Sequence, residues 1–254
     1  MILDLAEKAR EKRVAPIAID PSLRRAAQRT WTARMINEHG SAPVFEGLGD
    51  QLEEAGARAE HVAECRRFAE EERAHGALCA AVLEALGGTP RAEVKEAGEM
   101  PRHAGVPALE SVTRNVISVS CLSETVAVAI LTTERCEMAE GELRDVVTRI
   151  LGDEVGHARF GWRWLAEVMP SFDEAARARL GAYLRVAFAA LERHELDHAT
   201  VGAAFPEGAA AYGLCSGEDT RELFYQTVSE VIVPQLEAHG LPAREAWSKR
   251  LSIS

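Results

Sequence analysis

The chain has 254 residues, 47% of them apolar, and a net charge of −11 from 40 acidic and 29 basic side chains. That length and apolar content suffice to bury one large core, and the acidic balance excludes a nucleic-acid surface, which needs clustered Lys and Arg. Five cysteines without a C-x-x-C pair exclude a disulfide framework and a rubredoxin-type iron module, and they point to a reducing compartment.

Residues 1–21 read as an N-terminal arm, a charged helical stretch followed by the extended Pro16-Ile17-Ala18-Ile19. Residues 1–13 lack the apolar core and small-residue cleavage site of a signal peptide, so a cytoplasmic protein is expected. A first long helix is predicted from Pro21-Ser22 to about Glu54, bent or split at Gly40 and Pro43. A second runs over 58–86 and stops at Gly87-Gly88. The stretch 88–108, with three prolines and no helical period, is too long for a simple turn. Extended, it reaches roughly 70 Å, against a bundle on the order of 40 Å long, so it can cross from one end to the other.

Helices three and four are predicted over 109–138 and 143–168. Within the third, residues 116–131 are apolar on nearly every face. Such a helix is expected in the core, and a run of this length falls short of a membrane span, so no membrane contact is expected. Two flanking helices follow, near 173–199 and 218–239. The predicted architecture is all-α. Residues 22–170 form a four-helix bundle of ferritin-like topology, two antiparallel hairpins joined by one long crossover, and 171–254 form a C-terminal helical extension of the same domain.

Two Glu-x-x-His units, Glu72 to His75 and Glu154 to His157, carry the chemistry. Positions i and i+3 share one helix face, so each unit aims a carboxylate and an imidazole at one spot. With 32 glutamates and 8 histidines in the chain, chance alone places about one such unit; there are three, the last being Glu195 to His198. Geometry separates them. In an antiparallel hairpin, facing ligands lie equally far from the turn. Glu38 and Glu72 have their midpoint at residue 55, beside Gly56, and Glu124 and Glu154 have theirs at 139, near Gly141. For the third unit the nearest comparable glutamate, Glu167, puts the midpoint at Gly181, whereas the chain breaks at Pro170-Ser171. Glu124 lies inside the apolar run, where an unpaired carboxylate would cost several kcal/mol. Four glutamates and two neutral imidazoles balance two divalent cations, so the six residues read as a two-metal site. One alternative stays open: a helix restarting at Ser41 would bring Glu46 into competition with Glu38.

This order of ligands, a glutamate, Glu-x-x-His, a glutamate and Glu-x-x-His again, resembles the ferritin-like non-haem diiron carboxylate superfamily over residues 22–168. The wording Glu38-His39-Gly40-Ser41-Ala42 and Asp153-Glu154-Val155-Gly156-His157-Ala158 is similar to bacterial ferritin-like domain proteins, and it favours Glu38 over Glu46. The resemblance implies that Glu72 and Glu154 bridge two iron ions (a manganese–iron pair also suits the ligands), that Glu38 and Glu124 are terminal ligands, and that His75 and His157 bind one metal each. Where many relatives have arginine before the motif histidine, this chain has Ala74 and Gly156. The acidic residue before each motif glutamate is present, as Glu71 and Asp153, placed to accept the other histidine's ring N–H. All three tyrosines fall after the four-helix region, which argues against a tyrosyl-radical role.

Weaker signals have plainer readings. His194-Glu195-Leu196-Asp197-His198 matches the H-E-x-x-H pattern, with Glu218 or Glu222 as a third ligand, but the charged Asp197, Glu192 and Arg193 belong to a solvated helix. Trp31 and Trp162 are read as packing residues, and Cys65, Cys79, Cys121 and Cys136 as small buried hydrophobes. The function expected is a diiron oxidoreductase that activates dioxygen or peroxide. Its substrate would be small and apolar, against Ala127, Val128 and Leu131, its electrons would come from a reductase, and a homodimer is compatible. The alternatives are ferroxidase-type iron handling and a metal-free interaction module.

Overall fold

In a computed structural model of the chain, residues 1–95, 98–196, 205–206 and 208–252 are described. The fold comprises two compact units interleaved along the sequence: Met1–Met100 with Glu134–Asp153 and Phe205–Cys215, and Pro101–Thr133 with Glu154–Ala204 and Ser216–Ser254.

The first unit opens with a short strand, β1 (Ile2–Asp4), and helix α1 (Ala6–Lys12). Helix α2 (Pro21–Glu54) starts where Asp20 accepts from the Ser22 amide at 2.8 Å, with Pro21 in the first turn, where its missing N–H costs nothing. It runs unbroken for 34 residues. The helix is not split at Pro43, because Pro43 is exposed and its ring and the lost amide bond lie on the solvent side. Leu23, Ala27, Trp31, Met35, Ala42, Phe45, Leu48 and Leu52 are buried at three- and four-residue spacing, the stripe of a core-facing helix. Gly56, at φ 72°, takes the left-handed position after the helix end. Helix α3 (Ala59–Ala85) then returns against α2. Where α3 passes His39, Gly76 leaves room; a Cβ there would lie 2.9 Å from the His39 Cβ.

Beyond α3, β2 (Arg91–Glu93) pairs antiparallel with β1, Leu3 opposite Ala92. Neither strand is predicted from the sequence, since three residues carry too little alternation to read.

The second unit begins its helices with α4 (Ala108–Val116), a π-helical segment over Ile117–Ser123 and α5 (Glu124–Glu137). Together they span Ala108–Glu137, by length and composition enough to cross a membrane, which the 16-residue run alone does not indicate. The helix nevertheless buries Glu110, Glu124 and Glu134, and Glu110 and Glu134 are in ion pairs within the protein. Helix α6 (Glu142–Val168) follows Gly141. The last turn of α5, from Glu134, and the first part of α6, to Asp153, are counted with the first unit.

Helix α7 (Glu174–Leu196) comes next. The helix predicted over 218–239 comprises α8 (Gly217–Thr227), a π-helical segment over Val228–Ile232 and α9 (Val233–Ala238). A further short helix, α10 (Ala243–Ser248), is not predicted from the sequence. Gly181 lets α7 approach the segment before α10, since a Cβ there would meet the Pro242 ring at 2.6 Å.

Candidate metal centre

In the first unit, Glu38 on α2 and Glu72 and His75 on α3 each offer a ligand atom within 4.8 Å of the others. Glu38 falls on the buried stripe of α2, three residues after Met35 and four before Ala42, which turns its carboxylate inward. The His75 Nδ1 lies 3.3 Å from Glu38 Oε2 and 3.9 Å from Glu72 Oε2. Its Nε2 lies 3.0 Å from Asp153 Oδ2. With the Nε2 proton donated to Asp153, the Nδ1 lone pair is turned toward the two carboxylates, the tautomer a metal ligand needs. Glu46 sits off the stripe, exposed, and pairs with Arg73.

In the second unit, Glu124 on α5 and Glu154 and His157 on α6 form a matching triad, again with ligand atoms within 4.8 Å. His157 Nδ1 is 3.0 Å from Glu154 Oε2. Glu124 stands at the end of the π-helical segment, where its amide donates to the Val119 carbonyl, five residues back. The extra residue in that turn rotates the rest of the helix relative to an ideal α-helix, and such bulges recur at functional sites. Gly161 lets α6 lie against the bulge, as a Cβ there would come within 2.7 Å of the Ser120 Cβ and 2.9 Å of the Cys121 amide nitrogen. Beside Glu124, Thr125 Oγ1 accepts from Trp162 Nε1 at 3.3 Å.

The second triad sets two carboxylates and an imidazole in protein interior, and the first does so with Glu38 partly buried. Glu72, Glu124 and Glu154 are at most 8% exposed and both histidines are fully buried. Two buried carboxylates facing one another are costly unless a cation lies between them. Oxygen and imidazole donors suit iron or manganese, without choosing between them. Each triad is thus a set of donors that could hold a metal ion.

One neighbour of the first triad is not foreseen from the sequence. Arg34, one turn before Glu38, forms a partly buried ion pair with Glu134 and stacks over Trp31 at 5.0 Å. Burial and the nearby Glu38 carboxylate push the Cys79 thiol well above its ordinary pKa. Trp31 is fully buried and donates Nε1 to the Tyr212 carbonyl at 3.0 Å. Trp162 is only partly buried and stacks on His239, the rings 6.3 Å apart and 11° from parallel. Tyr183, although beyond the four-helix region in sequence, hydrogen-bonds Ser118 in the π-helical segment at 2.7 Å. Cys65, Cys79 and Cys121 are buried, but Cys136 is exposed, on the opposite side of the last turn of α5 from the buried Glu134 and Met138. Of the H-E-x-x-H stretch, Asp197 and His198 lie outside the described residues. Desolvation pushes Glu195 up to about 7.

No family model matches the chain, and no curated protein matches it. Among solved structures, a protein with aldehyde deformylating oxidase activity from Synechococcus aligns with a TM-score of 0.62, over 99% of this chain and 100% of its own length, at 18% identity. At that identity the likeness speaks for the fold. The chain has the all-α, ferritin-like fold that its paired Glu-x-x-His spacing leads one to expect.

Proposed function

We propose that the two triads together hold a pair of iron ions, or a manganese–iron pair, and that the protein is an oxidase acting on dioxygen or peroxide. The observation that carries this reading is a pair of Glu, Glu, His sets, one in each unit, buried but for the partly buried Glu38. Consecutive residues of α6 serve both: Asp153 holds His75 of the first set, and Glu154 belongs to the second. The ferritin-like fold, shared with a protein of oxidase activity, supports the same reading.

Glu38, Glu72 and His75 would hold metal from the first unit, and Glu124, Glu154 and His157 from the second. When bound, such a metal pair supplies electrons to oxygen and takes them up again from a reductase. The residues do the rest. Asp153 fixes the His75 tautomer, burial excludes water from the carboxylates, and Ala127, Val128 and Leu131, within two turns of Glu124, offer an apolar wall to an organic substrate. The activity of the Synechococcus protein makes an aldehyde the first substrate to assay.

Anaerobic loading with ferrous iron followed by exposure to oxygen tests the proposal. Two iron ions per chain, oxygen uptake and aldehyde consumption in the presence of a reductant are expected. A chain that retains no iron, or a loaded chain that takes up no oxygen, overturns the reading.

A further inference from the structure

The second unit contains a cavity of about 520 Å³ between α7, α8 and the segment that begins at Arg250. Its charge is opposite to that of the chain. Arg193, Arg221 and Arg250 line it against a single carboxylate, Glu192, so two positive charges are in excess in a protein of net charge −11.

Glu192 is fully engaged. Arg250 donates to it through Nε and Nη2, both at 2.8 Å, and the Tyr225 hydroxyl donates at 2.7 Å. Arg250 is further held flat on the Trp247 ring, 3.4 Å from its centroid. These contacts make a rigid floor and consume one guanidinium. Arg221 and Arg193 are different. Neither is in an ion pair among the described residues, and Arg221 only lies over the Tyr225 ring at 5.9 Å. Val186 and Leu196 line the same space, giving it an apolar side.

We propose that this cavity binds a small organic dianion, a phosphate monoester or a dicarboxylate, with its charge on Arg193 and Arg221 and its carbon skeleton against Val186 and Leu196. A guanidinium presents two parallel N–H donors that match the oxygens of phosphate and carboxylate alike, and the volume is that of a small-molecule site. The site shares no residue with the metal triads, so it stands or falls separately from the proposed oxidase activity.

Isothermal titration calorimetry on the full chain, with and without metal, tests it with n-butyl phosphate, succinate, inorganic phosphate and n-butanol as probes. Binding of butyl phosphate or succinate in the millimolar range or tighter is expected, with the preferred probe identifying the head group. Butanol should not bind, and inorganic phosphate should bind more weakly for lack of an apolar part. Arg193→Gln and Arg221→Gln should each weaken binding by about tenfold or more while changing the circular-dichroism melting curve little, since the floor's hydrogen bonds are made by Arg250 and Tyr225. Arg221→Lys, which keeps the charge and loses the fork, should recover only part of the affinity. Absence of binding by both organic anions, binding no tighter than that of inorganic phosphate, or affinity unchanged in both glutamine variants would overturn the proposal.

Discussion

His75 Nε2 lies 3.0 Å from Asp153 Oδ2, and Asp153 is the residue immediately before Glu154. One carboxylate thereby fixes which ring nitrogen of His75 carries the proton and turns the other toward Glu38 and Glu72. Partners of this kind typically change metal affinity by about 10- to 100-fold when removed. Asp153→Ala should weaken metal binding by that order in competition with a chelator, and Asp153→Asn, which keeps an acceptor oxygen without the charge, should weaken it less. Equal affinity in wild type and Asp153→Ala would show that the contact plays no part in holding metal.

Glu38 and Glu46 are separated by their surroundings. Glu38 faces His75 at 3.3 Å, whereas Glu46 is exposed and paired with Arg73. Glu38→Ala should lower the metal content measured by elemental analysis. Glu46→Ala should leave it at the wild-type level and change stability by no more than about 1 kcal/mol, as for an exposed ion pair. The reverse result would make Glu46 the ligand of α2.

Two glycines of α6 make opposite predictions. A Cβ at Gly161 would press on the Ser120 Cβ at 2.7 Å and on the Cys121 backbone, and overpacking of this kind costs about 1–3 kcal/mol. At Gly156 nothing lies within 4 Å of the same atom, and alanine in a helix interior is favoured over glycine by up to about 1 kcal/mol. In urea denaturation Gly161→Ala should therefore unfold earlier than wild type, and Gly156→Ala at the same point or later. Because the first strain falls on the bulge that ends at Glu124, Gly161→Ala should also lose metal from the second triad.

The Glu192–Arg250 pair makes a pH-dependent contribution. Hydrogen bonds from Arg250, and then from Tyr225, hold the Glu192 carboxyl below its ordinary value of 4.5. A depressed folded pKa means that the stabilisation is fully present above the unfolded value and is lost as pH falls through the folded one. Glu192→Gln should cost about 1–2 kcal/mol at pH 7, with the difference from wild type shrinking below pH 4.5. A difference that persists undiminished in acid would mean that packing, not charge, holds the pair.

Much of the bundle is written in local pattern. Asp20-Pro21-Ser22 marks the start of α2 through capping chemistry, Gly56 marks its end through a conformation that side chains resist, and the three-and-four spacing of apolar residues marks the buried face. Local pattern leaves Glu38 and Glu46 both open as the ligand of α2; the structure separates them, with Glu38 facing His75 and Glu46 exposed beside Arg73. Within each Glu-x-x-His unit the shared face is likewise a property of helix geometry alone.

What the sequence could not decide depends on residues far apart in the chain. The pairing of β1 with β2 joins segments some ninety residues apart, and neither has enough alternation to stand out. The π-helical turn before Glu124 leaves no mark in composition; it is fixed by how closely α6, through Gly161, comes to Ser120 and Cys121. The position before Glu154 marks Asp153 as a partner for a motif histidine, but the 3.0 Å contact with His75 Nε2 is made only in the folded chain. The cavity beside Arg193 and Arg221 arises only when α7, α8 and the chain end converge. Helix propensity and amphipathic period are local and additive, so the sequence alone determined the long helices and most of their buried faces, though not the short α10 or the exposed side of Cys136. Hydrogen-bond partners, close approaches and cavities depend on distances between segments, and only the tertiary structure decided those.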